Sequence, residues 1–129
     1  MFVGQYEHTL DGKGRVVLPA KFRSQLATDV YLTVERKGCL GLWAPEEFEK
    51  MGEDMVRKAA EGEIEEKDLD LFFALADTVR PDGQGRILVI DRLREAAGIN
   101  KDMLIVGRFK HVEIWSGDRW AEERIEATA

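Results

Sequence analysis

The 129-residue chain predicts a mainly β protein with connecting helices, built from two copies of one hairpin unit. Three observations carry this prediction. A D-G-x-G-R run occurs twice, each run leads directly into aliphatic and β-branched residues, and a strongly acidic stretch with helical patterning separates the copies.

The repeat organises the rest. Asp11-Gly12-Lys13-Gly14-Arg15-Val16-Val17-Leu18 aligns with Asp82-Gly83-Gln84-Gly85-Arg86-Ile87-Leu88-Val89 at an offset of 71, with four identities inside five residues. The match continues through Lys21/Arg92, Phe22/Leu93 and Arg23/Arg94. A one-residue slip then gives an offset of 72, pairing Leu32 with Leu104, Val34 with Val106, Arg36 with Arg108, Trp43 with Trp115 and Phe48 with Trp120. Self-similarity on this scale marks a duplicated supersecondary unit rather than a solenoid. The first repeat covers 5–48, the acidic linker 49–75 and the second repeat 76–120.

Within each copy the local signals agree. Glycine tolerates positive φ and aspartate bonds its own backbone, so D-G-x-G is a tight reversal feeding a strand, expected at Arg15–Leu18 and Arg86–Ile90. A short helix follows, opened by Pro19 in the first copy and closed by Gly98 in the second. Strands are expected at Val30–Glu35 and Met103–Gly107, then at Cys39–Trp43 and His111–Trp115, joined by the short loops Arg36-Lys37-Gly38 and Arg108-Phe109-Lys110.

In the linker, Pro45 suits a first helical turn, Glu46, Glu47 and Glu49 suit the positive end of the helix dipole, and Phe48, Met51, Met55 and Ala59 form one apolar stripe. Leu69, Phe72, Phe73 and Ala76 follow the spacing of a second helix. A final helix starts near Asp118, capped by Ser116, and its last few residues are expected to fray.

Charge placement narrows the function. The net charge is −6, and the segment from Glu46 to Asp70, with eleven acids against four bases, accounts for all of it. Asp11–Arg23 carries +3 and Asp82–Arg94 carries +1, so bases gather at the two equivalent turns. The single Cys39 forms no intramolecular disulfide, which fits a reducing compartment. Met1 to Arg15 contain no apolar run behind a basic start, so a cytoplasmic, non-membrane protein is expected.

Catalysis finds little support. The glycine runs match neither phosphate-binding pattern, G-x-x-x-x-G-K-[ST] or G-x-G-x-x-G. His8, Cys39 and His111 are too few and scattered for a zinc site, although Cys39 and His111 occupy equivalent repeat positions. Glu65, Glu66, Asp68 and Asp70 read as a solvated helix face, and Trp43, Trp115 and Trp120 as core or subunit interface. No metal, no cofactor and no small-molecule substrate is expected.

The paired D-x-x-x-R signature, Asp11–Arg15 and Asp82–Arg86, resembles that of the MraZ family, as do Phe2-Val3-Gly4, the run Gly14–Arg23 and Val112-Glu113-Ile114-Trp115. The likeness spans nearly the whole chain. It implies tandem AbrB-like swapped-hairpin units forming a pseudo-two-fold double-split β-barrel. It also implies a cytoplasmic, nucleoid-associated transcriptional regulator that assembles into a ring-shaped homo-oligomer. Its ligand by that likeness is double-stranded DNA with short direct repeats, ahead of a division and cell-wall gene cluster that includes its own gene.

On this reading Arg15 and Arg86 offer planar donor forks to DNA from the start of a two-stranded ribbon, while Lys13, Lys21, Arg23, Arg92 and Arg94 contact phosphates. Asp11, Gly14, Asp82 and Gly85 form the turns, and Asp–Arg bridging within each loop is a second role open to the arginines. Several identical loops on repeated sites would raise affinity through multivalency, with the acidic linker turned away from the DNA. One position departs from the pattern. Ile90 stands where the first copy has Pro19, so the second helix start is expected to be looser or shifted. The alternative function is an antitoxin-like protein-interaction module built on the same hairpin.

Overall fold

Each copy supplies a strand, the Asp-Gly turn, a ribbon strand, a short helix and a hairpin, in that order. The computed structural model describes residues 1–128, and their side chains through residue 124. The first copy holds β1 (Gln5–Thr9), β2 (Arg15–Val17), α1 (Ala20–Arg23) with a 3₁₀ turn at Ser24–Leu26, β3 (Val30–Val34) and β4 (Leu40–Trp43). Then come α2 (Pro45–Ala60) and α3 (Glu66–Ala74). The second copy holds β5 (Asp77–Val79), β6 (Arg86–Leu88), α4 (Asp91–Ala97), β7 (Asp102–Arg108) and β8 (His111–Ser116), followed by α5 (Gly117–Thr128).

The six expected strands form, with β2 ending at Val17 rather than Leu18 and β6 at Leu88 rather than Ile90; β1 and β5 are added to them, and strands cross between copies. The large sheet runs β1-β7-β8-β4-β3-β5, and β2 pairs with β6 in a separate ribbon. Thus β1 of the first copy lies on the hairpin of the second, with Gln5 opposite Val106, while β5 of the second lies on the hairpin of the first, with Val79 opposite Val30. Two further pairings join the copies, β4 with β8 at Gly41 opposite Glu113 and β2 with β6 at Val16 opposite Ile87. Both couple repeat-equivalent positions, so one pseudo-two-fold axis passes through the sheet and the ribbon.

The hairpins correct the repeat alignment. In the first, the Glu35 N–H donates to the Cys39 carbonyl and leaves a three-residue loop; in the second, Arg108 pairs with His111 and leaves only Phe109 and Lys110. Strand β7 is therefore equivalent to β3 at an offset of 73, not 72, and Leu32 matches Ile105, both wholly buried, rather than half-exposed Leu104. A one-residue error of register turns every side chain to the wrong face. The missing residue also leaves a mark on the backbone. Gly38 takes a φ of +94° in the longer loop, whereas Phe109 adopts +65° in the shorter one, a strain of about 1–3 kcal/mol for such a side chain.

Strand alternation divides the large sheet. Val30, Leu32, Leu40, Leu42, Ile105, Val112 and Ile114 face the main core, together with Val16 and Ile87 of the ribbon and Phe22, Leu26, Leu93 and Ala97 of the short helical segments. The opposite face is covered by the other helices. Tyr31 stacks on Phe48 of α2 with ring centroids 4.4 Å apart, Thr33 Oγ1 donates to the Phe72 carbonyl of α3 at 2.6 Å, and Trp115 meets Trp120 of α5 at 5.6 Å. The acidic helices therefore sit across the sheet from the ribbon.

Helix ends follow the sequence signals with two adjustments. Gly98 closes α4 in the left-handed region at φ +66°, and Ser116 Oγ accepts the Arg119 N–H at 3.1 Å. Ala76, expected in the second linker helix, lies past the end of α3. The looser start expected at Ile90 is not observed. Ile90 has φ −68° and ψ 155°, close to −52° and 137° at Pro19, so an isoleucine packed on the core holds the conformation that proline presets. No helix among the described residues is long and apolar enough to cross a membrane. The fraying expected at the C-terminus concerns residue 129 and the side chains of 125–128, which lie outside the described residues.

Candidate nucleic-acid interface

The two Asp-Gly turns match hydrogen bond for hydrogen bond. Asp11 Oδ1 accepts the N–H groups of Lys13 and Arg15, both at 2.9 Å, and Asp11 Oδ2 accepts Arg15 Nε at 2.8 Å. In the second turn Asp82 Oδ1 accepts the N–H groups of Gln84 and Arg86 at 2.9 Å, and Oδ2 accepts Arg86 Nε at 2.7 Å. The Asp11 N–H donates to the Arg15 carbonyl, the Gly14 N–H to the Asp11 carbonyl, and the same two bonds recur at Asp82. Side-chain exposure of the arginine is 28% in both copies, which makes the loops equivalent despite the Ile90 departure.

These contacts pull the aspartates down. The Arg86 N–H, with its guanidinium and the Gln84 N–H, holds the Asp82 carboxyl at about 2, and Asp11 is lowered for the same reasons. Each aspartate therefore stays ionised and fixes its arginine through Nε. The Nη atoms of Arg15 and Arg86 make no hydrogen bond among the described residues, so the outer edge of each fork remains open. Bridging to the aspartate thus leaves the outer edge of the same side chain open.

The other predicted cations divide into two groups. Lys13 on the first turn, Lys21 on α1 and Arg92 on α4 are exposed and form no ion pair among the described residues. Arg23 and Arg94 are instead engaged across the pseudo-two-fold. Arg23 Nε donates to the Leu18 carbonyl at 3.0 Å and its side chain lies over Gly85, while Arg94 pairs with Asp91 and lies over Gly14. Each turn glycine is covered by an arginine from the other copy.

That reciprocal cover leaves no room for a side chain. Gly14 and Gly85 hold φ of +77° and +76°, and a Cβ on Gly14 would stand 2.6 Å from an Arg94 guanidinium nitrogen. Gly14→Ala and Gly85→Ala are each expected to cost about 1–3 kcal/mol in urea unfolding, through backbone strain and displacement of the covering arginine.

Between the turns lies the ribbon. Val16 and Ile87, both 1% exposed, anchor it to the core, and alternation turns Arg15, Val17, Arg86 and Leu88 outward. Arg15 stands opposite Leu88 and Val17 opposite Arg86, so the arginines occupy diagonal corners of one tile. A two-stranded ribbon of this kind has the width to enter a major groove. Val17 and Leu88 were not among the predicted site residues; the alternation that turns them outward with the arginines was the available signal.

Sequence reasoning also passed over a buried polar cluster on the opposite sheet face. Glu113, 2% exposed, accepts Lys37 Nζ at 2.8 Å and Trp115 Nε1 at 3.1 Å, and lies 3.3 Å from His111 Nε2. His111 stacks flat on Trp43 at 3.9 Å, whose Nε1 donates to Glu35 at 3.1 Å. Burial pushes the Glu113 carboxyl up, but the adjacent His111 imidazole and the bonds from Lys37 and Trp115 outweigh that and hold it at about 2, whereas burial dominates at Glu35 and raises it. Cys39 beside this cluster is buried and its thiol pushed upward, so it is unreactive. Among the described residues no group of histidine, cysteine or carboxylate side chains is arranged to hold a metal ion.

Fold and site together define a class: duplicated hairpin proteins with exchanged strands and a paired-arginine ribbon turned outward. A family model described as "MraZ protein, putative antitoxin-like" matches residues 1–70 and 72–128. The chain is 40% identical over 121 residues to the Transcriptional regulator MraZ of Lachnoclostridium phytofermentans, covering 93% of this chain and 84% of that protein. It is 39% identical over 124 residues to the protein of the same name from Saccharopolyspora erythraea, covering 93% and 84%. With its counterpart from Caldanaerobacter subterraneus subsp. tengcongensis it shares 42% identity over 126 residues, covering 95% and 85%. The chain belongs to the MraZ family.

Proposed function

We propose that this protein is a sequence-specific, DNA-binding transcriptional regulator rather than an enzyme, in keeping with the names its relatives carry. In this reading it works in the cytoplasm at the nucleoid, as a ring-shaped homo-oligomer on short direct repeats upstream of a division and cell-wall gene cluster that includes its own gene. The strand-exchanged sheet and its ribbon are the double-split barrel of two AbrB-like repeats, 5–48 and 76–120, joined by the linker 49–75. Exposed edges at β1 and β5 supply one motive for assembly.

The observation that carries the reading is the pair of identical turns, each holding an arginine by Nε with its Nη edge open. Arg15 and Arg86 read base edges, and Lys13, Lys21 and Arg92 contact phosphates. Arg23 and Arg94 act mainly by holding the turns in shape. One subunit offers few phosphate contacts, so affinity comes from several subunits on repeated sites. The acidic helices, across the sheet from the ribbon, do not oppose the approach of DNA.

A mobility-shift titration against a duplex with three or more direct repeats tests this. The three proposed phosphate contacts per chain, Lys13, Lys21 and Arg92, with two or more engaged subunits, predict that log affinity falls against log salt with a slope on the order of −5 or steeper. A flat salt dependence, or no retardation of any duplex, would contradict the reading. Light scattering on the free protein should give a multiple of the 14.7 kDa chain mass; a strictly monomeric mass would remove the multivalency argument.

A further inference from the structure

We propose that Val17 and Leu88, the two outward aliphatic side chains of the ribbon, read thymine 5-methyl groups in the major groove beside Arg15 and Arg86. The inference rests on the DNA-binding reading of the same ribbon and deepens it by naming residues that set sequence preference.

The ribbon's inner residues already fulfil its structural needs, since Val16 and Ile87 are 1% exposed in the core. Val17 and Leu88 are 38% and 48% exposed and lie outside the main core cluster. A surface made only to hold phosphates gains nothing from a methyl-bearing side chain, and cationic or hydroxyl residues would serve it better. In the major groove, an apolar contact distinguishes thymine through its C5-methyl, and arginine takes the O6 and N7 edge of guanine.

Register sets the spacing of these contacts. Each arginine has an aliphatic residue directly across the ribbon, Arg15 with Leu88 and Arg86 with Val17. Residues two apart on a strand are about 7 Å apart, roughly two base-pair steps. One tile thus presents two guanine readers and two methyl readers over a few adjacent base pairs, its two halves related by the pseudo-two-fold axis through Val16 and Ile87.

The charges choose DNA over a second copy of the chain as the occupant. Two ribbons meeting face to face would set arginines against arginines. The acids of α2 are partly engaged on their own helix, Asp54 with Arg57 and Lys58, Glu61 with Arg57 and Glu47 with Lys50. RNA is disfavoured because its major groove is deep and narrow and uracil lacks the methyl group.

The test starts from a duplex selected from a random library by the wild-type oligomer, with each thymine then replaced singly by deoxyuridine. At one or more thymines per repeat, loss of the methyl is expected to weaken wild-type binding about fourfold. Val17→Ala and Leu88→Ala should bind the selected duplex more weakly and lose this discrimination, with unfolding midpoint and subunit number unchanged. Val17→Thr keeps the side chain's shape and exchanges one methyl for a hydroxyl, and should show an intermediate effect. The inference is overturned if deoxyuridine is tolerated everywhere, if the selected repeat lacks thymine, or if the alanine variants alter subunit number instead of base preference. Failure to select any duplex would overturn the DNA-binding reading itself, a separate outcome.

Discussion

Arg15→Ala and Arg86→Ala are each expected to weaken binding to a tandem-repeat duplex by about tenfold or more, and the double substitution to abolish it, with the subunit number unchanged. A bidentate arginine–guanine contact discriminates by about 1–3 kcal/mol, roughly five- to 150-fold, before multiplication over subunits. Because the loops match in every hydrogen bond and in arginine exposure, the two single variants should lose comparable affinity. Arg15→Lys separates fork from charge. Lysine keeps the positive charge but not the planar donor set, so the variant should retain salt-dependent, non-specific binding and lose preference among repeat sequences. Mobility shifts against matched and scrambled duplexes measure both quantities.

Glu113→Ala is expected to destabilise the fold by about 3 kcal/mol, measured by urea unfolding, because it removes one partner from a buried ionic cluster. Lys37 and Trp115 both donate to this carboxylate, and His111 Nε2 lies 3.3 Å from it and 3.5 Å from Glu35. Glu113→Gln keeps a carbonyl acceptor at the site and should cost only about 1 kcal/mol. The pH dependence has a definite sign. Glu113 is held at about 2, below the ordinary 4.5, so its contribution is complete above 4.5 and is lost as pH falls toward 2. Glu35 is raised, so its effect runs the other way, favouring the fold below 4.5 and fading as pH rises through its elevated value. Removing Glu113 should therefore flatten the acid limb of the stability curve.

The parts of the fold legible in the sequence were those written in local chemistry. The D-G-x-G turns, the αL glycine after α4, Pro45 at the start of α2 and the Ser116 cap each act over a few residues, and each was found where expected. Strands β1 and β5 went unread because both are edge strands. Gln5-Tyr6-Glu7-His8-Thr9 alternates between exposed and half-exposed positions with one apolar residue, and β5 has only three residues. Their identity comes from partners in the other copy, about which a local pattern carries no information.

The site was legible to the same extent. The signature aspartates and arginines stand out because the turn repeats them, whereas the roles of Arg23 and Arg94 depend on contacts with Gly85 and Gly14 some 60 to 80 residues away. The shift in hairpin register was hidden because it lies in a loop, where deleting one residue leaves both flanking strands apolar. Glu113 reads within Val112-Glu113-Ile114-Trp115 as an ordinary outward charge of an alternating strand, until α5 and the second hairpin face reveal that the outward side is covered too.

Hydrogen–deuterium exchange footprinting with and without the selected duplex tests most directly the claim that the twin turns and their ribbon form the DNA-reading surface. Protection on DNA binding should concentrate in peptides covering residues 11–18 and 82–89, in both copies alike, and vanish for the Arg15→Ala, Arg86→Ala double variant. Protection confined to the linker helices across the sheet, or to one turn only, would contradict it.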